Sequence, residues 1–271
     1  MFGLQFYSNQ KYQKEEGSSV PKAVLFALGT SVVITAEMFV FRGGKIECTW
    51  FSLGFAVLGA IVSVLFSYCS VAAMEKVNLS LYSLFAMLGG MLLPFLDGIW
   101  SWGEEFNWKK GLSIGILFLA MLIGVSLRAD LQSLKYCALV FVLNGMVGVI
   151  SKWHQSFPDR NISSGGFMLL KSAITVLLCL VLLLFFKKEN RRWRHPKKSV
   201  LYIGEYGVLN GFANLFVLIS LMHVPSSVQY PMITGGTIIV STILGYLGGE
   251  KPTRKNVIAA ALAMSATLLL V

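Results

Sequence analysis

Charged side chains are scarce in this sequence. Only 13% of its 271 residues are Asp, Glu, Lys or Arg, whereas a soluble domain carries about 25%. Acidic residues are the rarer sign, 13 against 23 Lys and Arg, and 55% of all residues are hydrophobic. The net charge of +10 would suggest nucleic acid in a water-soluble protein, but long uncharged stretches separate the charges here. This composition excludes a soluble enzyme, a disordered tail and a nucleic-acid partner.

Motifs that would identify a catalytic or metal centre are also missing. The four cysteines show no CxxC spacing, which indicates neither a zinc site nor a disulfide framework. The sequence contains no P-loop, no HExxH among its three histidines and no GxSxG. Its first residues do not follow the pattern of a cleaved signal peptide. We therefore expect no enzyme, no cofactor and no metal.

Long apolar runs fill most of the chain. A hydrocarbon core of ~30 Å needs roughly 20 apolar residues of helix, and short breaks with charges, Pro and Gly separate nine such runs. The predicted spans are residues 22–41, 51–74, 78–99, 110–127, 135–153, 165–186, 200–222, 226–248 and 256–271. Small residues are frequent within them, as close helix packing requires, and barrel-like alternation is absent. The sequence predicts an all-α integral membrane protein.

Lys and Arg are distributed unevenly between alternate connections. Counted from residues 9–22 onwards, the odd connections hold 16 and the even ones six, which with Lys171 account for all 23. By the positive-inside rule the odd connections are cytoplasmic, including the basic connection 187–198. We expect a multi-pass protein of the cytoplasmic (inner) membrane. The alternative for the basic connection is a site for anionic lipid or RNA.

Two parts of the chain repeat one pattern. Each has a Ser three residues past a Val, then a Gly pair within a helix, then Gly-Glu and a final apolar helix. The related residues, at an offset of 146 or 147, are Ser80 and Ser227, Gly89-Gly90 and Gly235-Gly236, and Gly103-Glu104 and Gly249-Glu250. Upstream, residues 145–155 resemble residues 3–13, so residues 1–12 are interpreted as the last turns of a helix 1 whose first half is absent.

This repeat predicts two five-helix units, residues 1–127 and 128–271. An odd number of helices per unit inserts the second unit upside-down relative to the first, which is the inverted-repeat plan of secondary transporters. The predicted fold is a ten-helix (5+5) inverted-repeat bundle with a truncated helix 1 and nine full spans.

In these features the sequence resembles the drug/metabolite transporter superfamily and its EamA-like transporter family. The five-plus-five layout, the helices with Ser and Gly-Gly, and the endings Gly103-Glu104 and Gly249-Glu250-Lys251 carry the resemblance. It implies a secondary transporter with a central cavity between helices 1–4 and 6–9, and with helices 5 and 10 at the periphery. Two features depart from the family: helix 1 is truncated, and the Lys and Arg distribution places the C-terminus outside.

Polar residues inside spans are costly, so they are candidates for function. Asn210 and Asn214 share one face of helix 8, and Ser63 and Ser67 hold related positions in helix 3. This symmetry favours a shared cavity lining. The alternative is interhelical hydrogen bonds, worth ~0.6 kcal/mol on average. The other predicted substrate-binding residues are Tyr68, Tyr82, Asn144, Lys171, Gln229, Tyr230 and Thr234.

Ionisable residues and a proline add further candidates. Lys171 either attracts an anionic or carboxylate-bearing substrate or extends its stem to the interface ~10 Å away. Glu205 and Glu37 are candidates for coupling to protons, with pairing to a nearby cation as the alternative. Proline removes a backbone donor and can kink a helix, so Pro231 with Gly235 and Gly236 predicts a hinge in helix 9.

The predicted function is secondary transport of a small polar or amphipathic metabolite by alternating access of the two repeats. A small-molecule substrate and membrane lipids are the expected partners, and a homodimer is a further option. One alternative is a non-transporting membrane protein, a scaffold, sensor or lipid-binding protein that is inactive because helix 1 is incomplete. The other is an intramembrane enzyme or flippase, against which the different depths of Glu37, Glu205 and Asp97 argue.

Overall fold

The computed structural model describes residues 1–124, 131–188, 192–224, 226–249 and 253–269, except for the side chains of residues 121, 124, 131, 133, 226–228, 231, 256 and 267. Within this part the chain forms helices and no strands. In chain order they are α1 (Phe2–Glu16), α2 (Val20–Phe41), α3 (Trp50–Lys76), α4 (Leu79–Trp102), α5 (Trp108–Gly124), α6 (Leu131–Gln155), α7 (Ser164–Leu184), α8 (Pro196–Ser220), α9 (Ser226–Leu247) and α10 (Arg254–Leu268). The predicted all-α class is confirmed for these residues.

Six helical segments in the described part are long and apolar enough to cross a membrane. They are Val20–Phe41, Trp50–Lys76, Leu79–Trp102, Leu134–Gln155, Ser164–Leu184 and Pro196–Ser220. Two other predicted spans correspond to shorter apolar helices, Met232–Leu247 and Val257–Ala266, and α5 has 17 residues. The protein is a multi-pass membrane protein, with six of its nine predicted spans supported at full length.

The first helix, α1, is longer than the predicted residues 1–12 and more polar than the last turns of a membrane-spanning helix. It continues to Glu16, four residues beyond the expected end. Most of its polar side chains are buried: Gln5, Ser8, Asn9, Gln10, Gln13 and Glu16. The amide of Asn9 donates to the hydroxyl of Ser70 on α3 at 2.8 Å, which in turn shares a 2.6 Å hydrogen bond with the hydroxyl of Tyr82 on α4. Hydrogen bonds therefore hold α1 inside the bundle.

Glycine allows α4 and α6 to pack backbone against backbone. A Cβ atom at Gly89 would overlap the carbonyl oxygen of Phe141, and one at Gly145 would lie 2.7 Å from the carbonyl oxygen of Gly89. Such close approach is typical of membrane helices, where van der Waals contact drives association. The Gly pair of α4 thus has a packing role, and it places α6 beside α4.

We expect Gly89→Ala to destabilise the protein. The new methyl group meets a backbone carbonyl that cannot move without shifting a helix, and overpacking of this kind costs about 1–3 kcal/mol. The matched control is Gly54→Ala in α3, where a Cβ would meet nothing within 4 Å. Thermal unfolding in detergent should show a lower midpoint for Gly89→Ala and an equal or higher midpoint for Gly54→Ala. Equal midpoints for the two variants would contradict the tight α4–α6 contact.

A buried carboxylate stabilises the end of the bundle that carries residues 185–188 and 192–195, called the basic end from here on. The side chain of Glu16 is fully buried. It accepts hydrogen bonds from Lys22 Nζ at 2.6 Å, from the backbone N–H groups of Arg194 and His195 at 2.8 Å each, and from Ser199 Oγ at 2.7 Å. Because α8 begins at Pro196, the carboxylate also lies at the positive end of the α8 dipole. Glu16 therefore joins α1, α2 and α8.

These hydrogen bonds decide the protonation of Glu16. Burial alone would raise its pKa, but the bonds from His195, Lys22, Arg194 and Ser199 together outweigh burial and lower the pKa from 4.5 to about 2. Because the folded-state pKa is the lower one, ionised Glu16 contributes stability above about pH 4.5. That contribution is lost as the pH falls from about 4.5 towards 2.

We expect Glu16→Gln to lower the thermal unfolding midpoint at neutral pH and to flatten the loss of stability on acidification. An amide presents N–H groups to donors that the carboxylate satisfied, so part of the cluster is left unpaired. The control is Glu15→Gln: Glu15 meets Lys198 at 2.6 Å at the surface, and such pairs contribute ~0–1 kcal/mol. Midpoints measured between about pH 7 and pH 3 separate the variants, and an equal effect of both would refute the role given to Glu16.

Candidate functional site

A central cavity lies between eight of the ten helices. Its volume is about 140 Å³, and residues of α1–α4 and α6–α9 line it. No described residue of α5 or α10 is among them, and these two helices pack against each other instead. A single water molecule needs roughly 10–15 Å³ of such a cavity. The cavity therefore has room for a small molecule.

Eight of the predicted substrate-binding residues line this cavity. They are Ser63 and Ser67 on α3, Asn144 on α6, Lys171 on α7, Asn210 and Asn214 on α8, and Tyr230 and Thr234 on α9. Residues far apart in the sequence thus converge on one space, and their part in binding stays a prediction. Some are held by local bonds: the amide of Asn144 donates to the carbonyl of Ala86 at 2.6 Å, and that of Asn214 donates to Asn210.

Three predicted binding residues lie outside the lining. Tyr82 is fully buried, and its ring makes a T-shaped contact with that of Phe6, a lining residue, at 5.1 Å between centroids. The hydroxyl of Tyr68 lies 3.3 Å from that of a tyrosine on α6. Gln229 donates to a backbone carbonyl of α8 at 2.9 Å. Tyr82 therefore supports a wall of the cavity, and the other two connect helices.

The two coupling candidates have different surroundings. Glu205 is exposed, and its carboxylate accepts a hydrogen bond from Ser8 at 3.1 Å. Glu37 on α2 lies against Gly211 of α8, and both of its oxygens are buried with no hydrogen-bond partner in the described part of the chain. Neither residue lines the cavity.

The hinge candidates lie in α9. Gly235 is buried, and a Cβ at Gly236 would meet nothing within 4 Å. The side chain of Pro231 lies outside the described residues. The two Gly pairs of the repeat therefore have different surroundings, since Gly89 in α4 is closely packed.

The stem of Lys171 crosses from α7 towards α3. Its Cδ and Cγ atoms lie 3.0 and 3.5 Å from the point where Gly59 would carry a Cβ. Among the described residues, the ammonium group has neither an ion-pair partner nor a hydrogen bond, while the residue lines the cavity. The absence of a side chain at Gly59 thus makes room for this lysine inside the bundle.

Two buried polar atoms of the lining have no partner in the described part. They are the hydroxyl of Tyr230, a residue 8% exposed, and the side-chain oxygen of Gln5, a residue 4% exposed. A buried polar group left unsatisfied costs about 1–3 kcal/mol, which a ligand or water in the cavity would offset. The described residues include no group of three or more His, Cys, Asp or Glu that could hold a metal.

Several residues that line the cavity were not among those predicted from the sequence. Gln5 and Phe6 on α1, Ser31 on α2, Thr175 on α7 and Tyr206 on α8 all line the cavity. A signal existed for the last two: Tyr206 lies four residues before Asn210, and Thr175 lies four residues after Lys171, so each continues a predicted polar face.

Comparisons with known proteins agree with this architecture. A sequence model of the EamA-like transporter family matches residues 131–271, just over half of the chain. A search of curated proteins finds no match. A crystal structure of another protein is similar to this chain, with a TM-score of 0.69 and 14% sequence identity. The similarity covers 99% of this chain and 93% of that one, and at this identity it shows the fold alone.

Proposed function

Because the chain belongs to the EamA-like transporter family, we propose that it is a secondary transporter that moves a small polar or amphipathic molecule through the central cavity by alternating access. The observation that carries this proposal is the cavity itself, which eight helices enclose and line with hydroxyl, amide and ammonium groups. Polar groups of this kind inside a membrane bundle are typical of a substrate pathway.

The packing of the helices supports two inverted repeats. The contact of α1 with α8 has its counterpart in α6 with α3, that of α4 with α6 in α9 with α1, and that of α2 with α8 in α7 with α3. The pairs α2–α7, α4–α9 and α5–α10 are their own counterparts. Exchanging each helix of one unit for its counterpart five places away in the other unit therefore reproduces the main contacts. This is expected for repeated units 1–127 and 128–271. The boundary between these units lies outside the described residues.

The two ends of the bundle carry polar contacts that alternating access would break and remake. The Glu16 cluster lies at the basic end. At the opposite end, Lys152 of α6 pairs with Glu104 beyond α4 at 2.6 Å, and the indole N–H of Trp153 donates to Asp97 at 3.0 Å. The cavity lies between these two sets of contacts, which is the arrangement that gates on either side of a substrate site need.

The charge distribution supports an orientation with the basic end in the cytoplasm of a cytoplasmic-membrane protein. Cations gather there, as the positive-inside rule requires. Described members of this group are Lys187, Lys188, Arg192, Arg194, Lys197 and Lys198. Their number reflects insertion into the membrane and calls for no nucleic-acid partner.

Transport is tested by counterflow in liposomes that hold the purified protein and a panel of labelled amino acids, organic acids, sugars and nucleosides. We expect at least one solute to exchange, and Ser67→Phe to abolish exchange because its ring fills the cavity. The control is Ser265→Phe on the exposed face of α10, which should behave as wild type. Asn210→Ala should raise KM roughly 2- to 10-fold, the effect of losing one hydrogen bond. No exchange of any solute, or full activity of Ser67→Phe, would overturn the proposal.

We infer that Glu37, not Glu205, couples transport to protons. The carboxylate of Glu37 is buried and has no hydrogen-bond partner in the described part of the chain, so a change of its charge breaks no bond there, whereas Glu205 is exposed and bonded to Ser8. Glu37→Gln should abolish accumulation driven by a pH gradient and leave exchange intact, and Glu205→Gln should affect neither. Gradient-driven accumulation by Glu37→Gln at the wild-type level would show that Glu37 is not the coupling residue.

A further inference from the structure

The cavity carries a single kind of charge. Among the described residues that line it, Lys171 is the only charged one, and no aspartate or glutamate is present. An ammonium group inside a membrane bundle is costly unless an anion or hydrogen-bond acceptors compensate it. In the described part of the protein no carboxylate pairs with it, so the compensating charge is expected to come from outside the chain.

The stem of Lys171 lies against α3, where Gly59 has no side chain. Because of this, the stem has room beside Gly59. The Cδ atom of Lys171 lies 3.0 Å from the point where Gly59 would carry a Cβ. A methyl group of Ile150 on α6 lies 3.8 Å from the point where Gly59 would carry a Cβ. The stem therefore extends inside the bundle between α7 and α3, and the residue lines the cavity.

Two other atoms of the lining have no hydrogen-bond partner in the described part of the chain, and they indicate which further polar groups a ligand would carry. The buried hydroxyl of Tyr230 on α9 can donate to a second anionic oxygen, and the buried side-chain oxygen of Gln5 on α1 can accept from a hydroxyl or N–H group. The rings of Phe2, Phe6 and Phe66 add apolar surface. A ligand that satisfies this set has a compact anionic group, a hydrogen-bond donor and an apolar body.

We propose that the cargo of this cavity is a small organic anion, a carboxylate or phosphate ester, whose anionic oxygens pair with the ammonium group of Lys171. The proposal rests on the transport function proposed above and adds the chemical class of the substrate. The headgroup of an anionic lipid has the same chemistry, so the experiment below has an arm for each source.

Binding is measured as a shift of the thermal unfolding midpoint of the purified full-length protein in neutral detergent. The probes are small carboxylates and phosphate monoesters, each paired with its neutral amide or alcohol, together with inorganic phosphate. We expect at least one organic anion to stabilise the wild type while its neutral partner and inorganic phosphate do not. If no anion exceeds its neutral partner, the proposal is overturned.

Variants locate the effect. Lys171→Met keeps the length of the stem without the charge and should weaken binding of the stabilising anion at least tenfold. Lys171→Arg should retain part of the binding, and Lys45→Met, which removes an exposed cation at the opposite end, should retain all of it. Gly59→Ala keeps every charge but displaces the stem, so it should also weaken binding and serves if Lys171→Met does not fold. Full binding by both Lys171→Met and Gly59→Ala would overturn the proposal.

Three further outcomes separate this proposal from the transport function on which it rests. In the first, phosphatidylglycerol stabilises the wild type but not Lys171→Met, and no soluble anion stabilises the wild type. The occupant is then a lipid headgroup, and the proposal of a small-molecule cargo fails. If a neutral solute exchanges through the cavity and no anion does, transport stands and the anionic class falls. If an anion binds through Lys171 but never crosses, the inferred site stands and transport falls.

Discussion

A polar group in the hydrocarbon core of a membrane finds no water, so it must be satisfied by the protein or by what the protein encloses. This constraint accounts for α1. Its side chains are mostly polar and buried, and they are held by bonds such as those of Asn9 with Ser70 and of Tyr12 with the carbonyl of Lys22. A helix of this composition could not face lipid, and seven helices besides it surround the same cavity.

The same constraint separates structural from functional polar groups. Ser70, Tyr82 and Glu16 have their partners within the protein, so they need nothing from outside. Lys171, Tyr230 and Gln5 line the cavity. No described residue forms a hydrogen bond with the ammonium group of the first, the hydroxyl of the second or the side-chain oxygen of the third. These atoms surround a space large enough for a small molecule, and this is the observation from which the binding role proposed for them is argued.

The sequence allowed the class of the protein and part of its cavity to be predicted, since both follow from periodicity. Asn210 and Asn214, spaced by four, had to share a helical face, and so did Ser63 and Ser67. Isolated polar residues gave less information. Four positions from Tyr82 the polar residue is Asn78, which lies just before α4, and four positions from Gln229 there is none; both side chains face other helices. The full extent of α1 was not predicted, because high hydropathy identifies helices that face lipid, whereas α1 is polar and is surrounded by protein.

The Glu16 cluster also constrains how the bundle can move. It joins α1 and α2 of the first repeat to the beginning of α8 of the second through four hydrogen bonds to one carboxylate. A conformational change that keeps these bonds must carry the three helices together at this end. While the basic end is closed, the body that moves as a unit there is therefore assembled from both halves of the chain, and opening that end requires all four bonds to this one carboxylate to break.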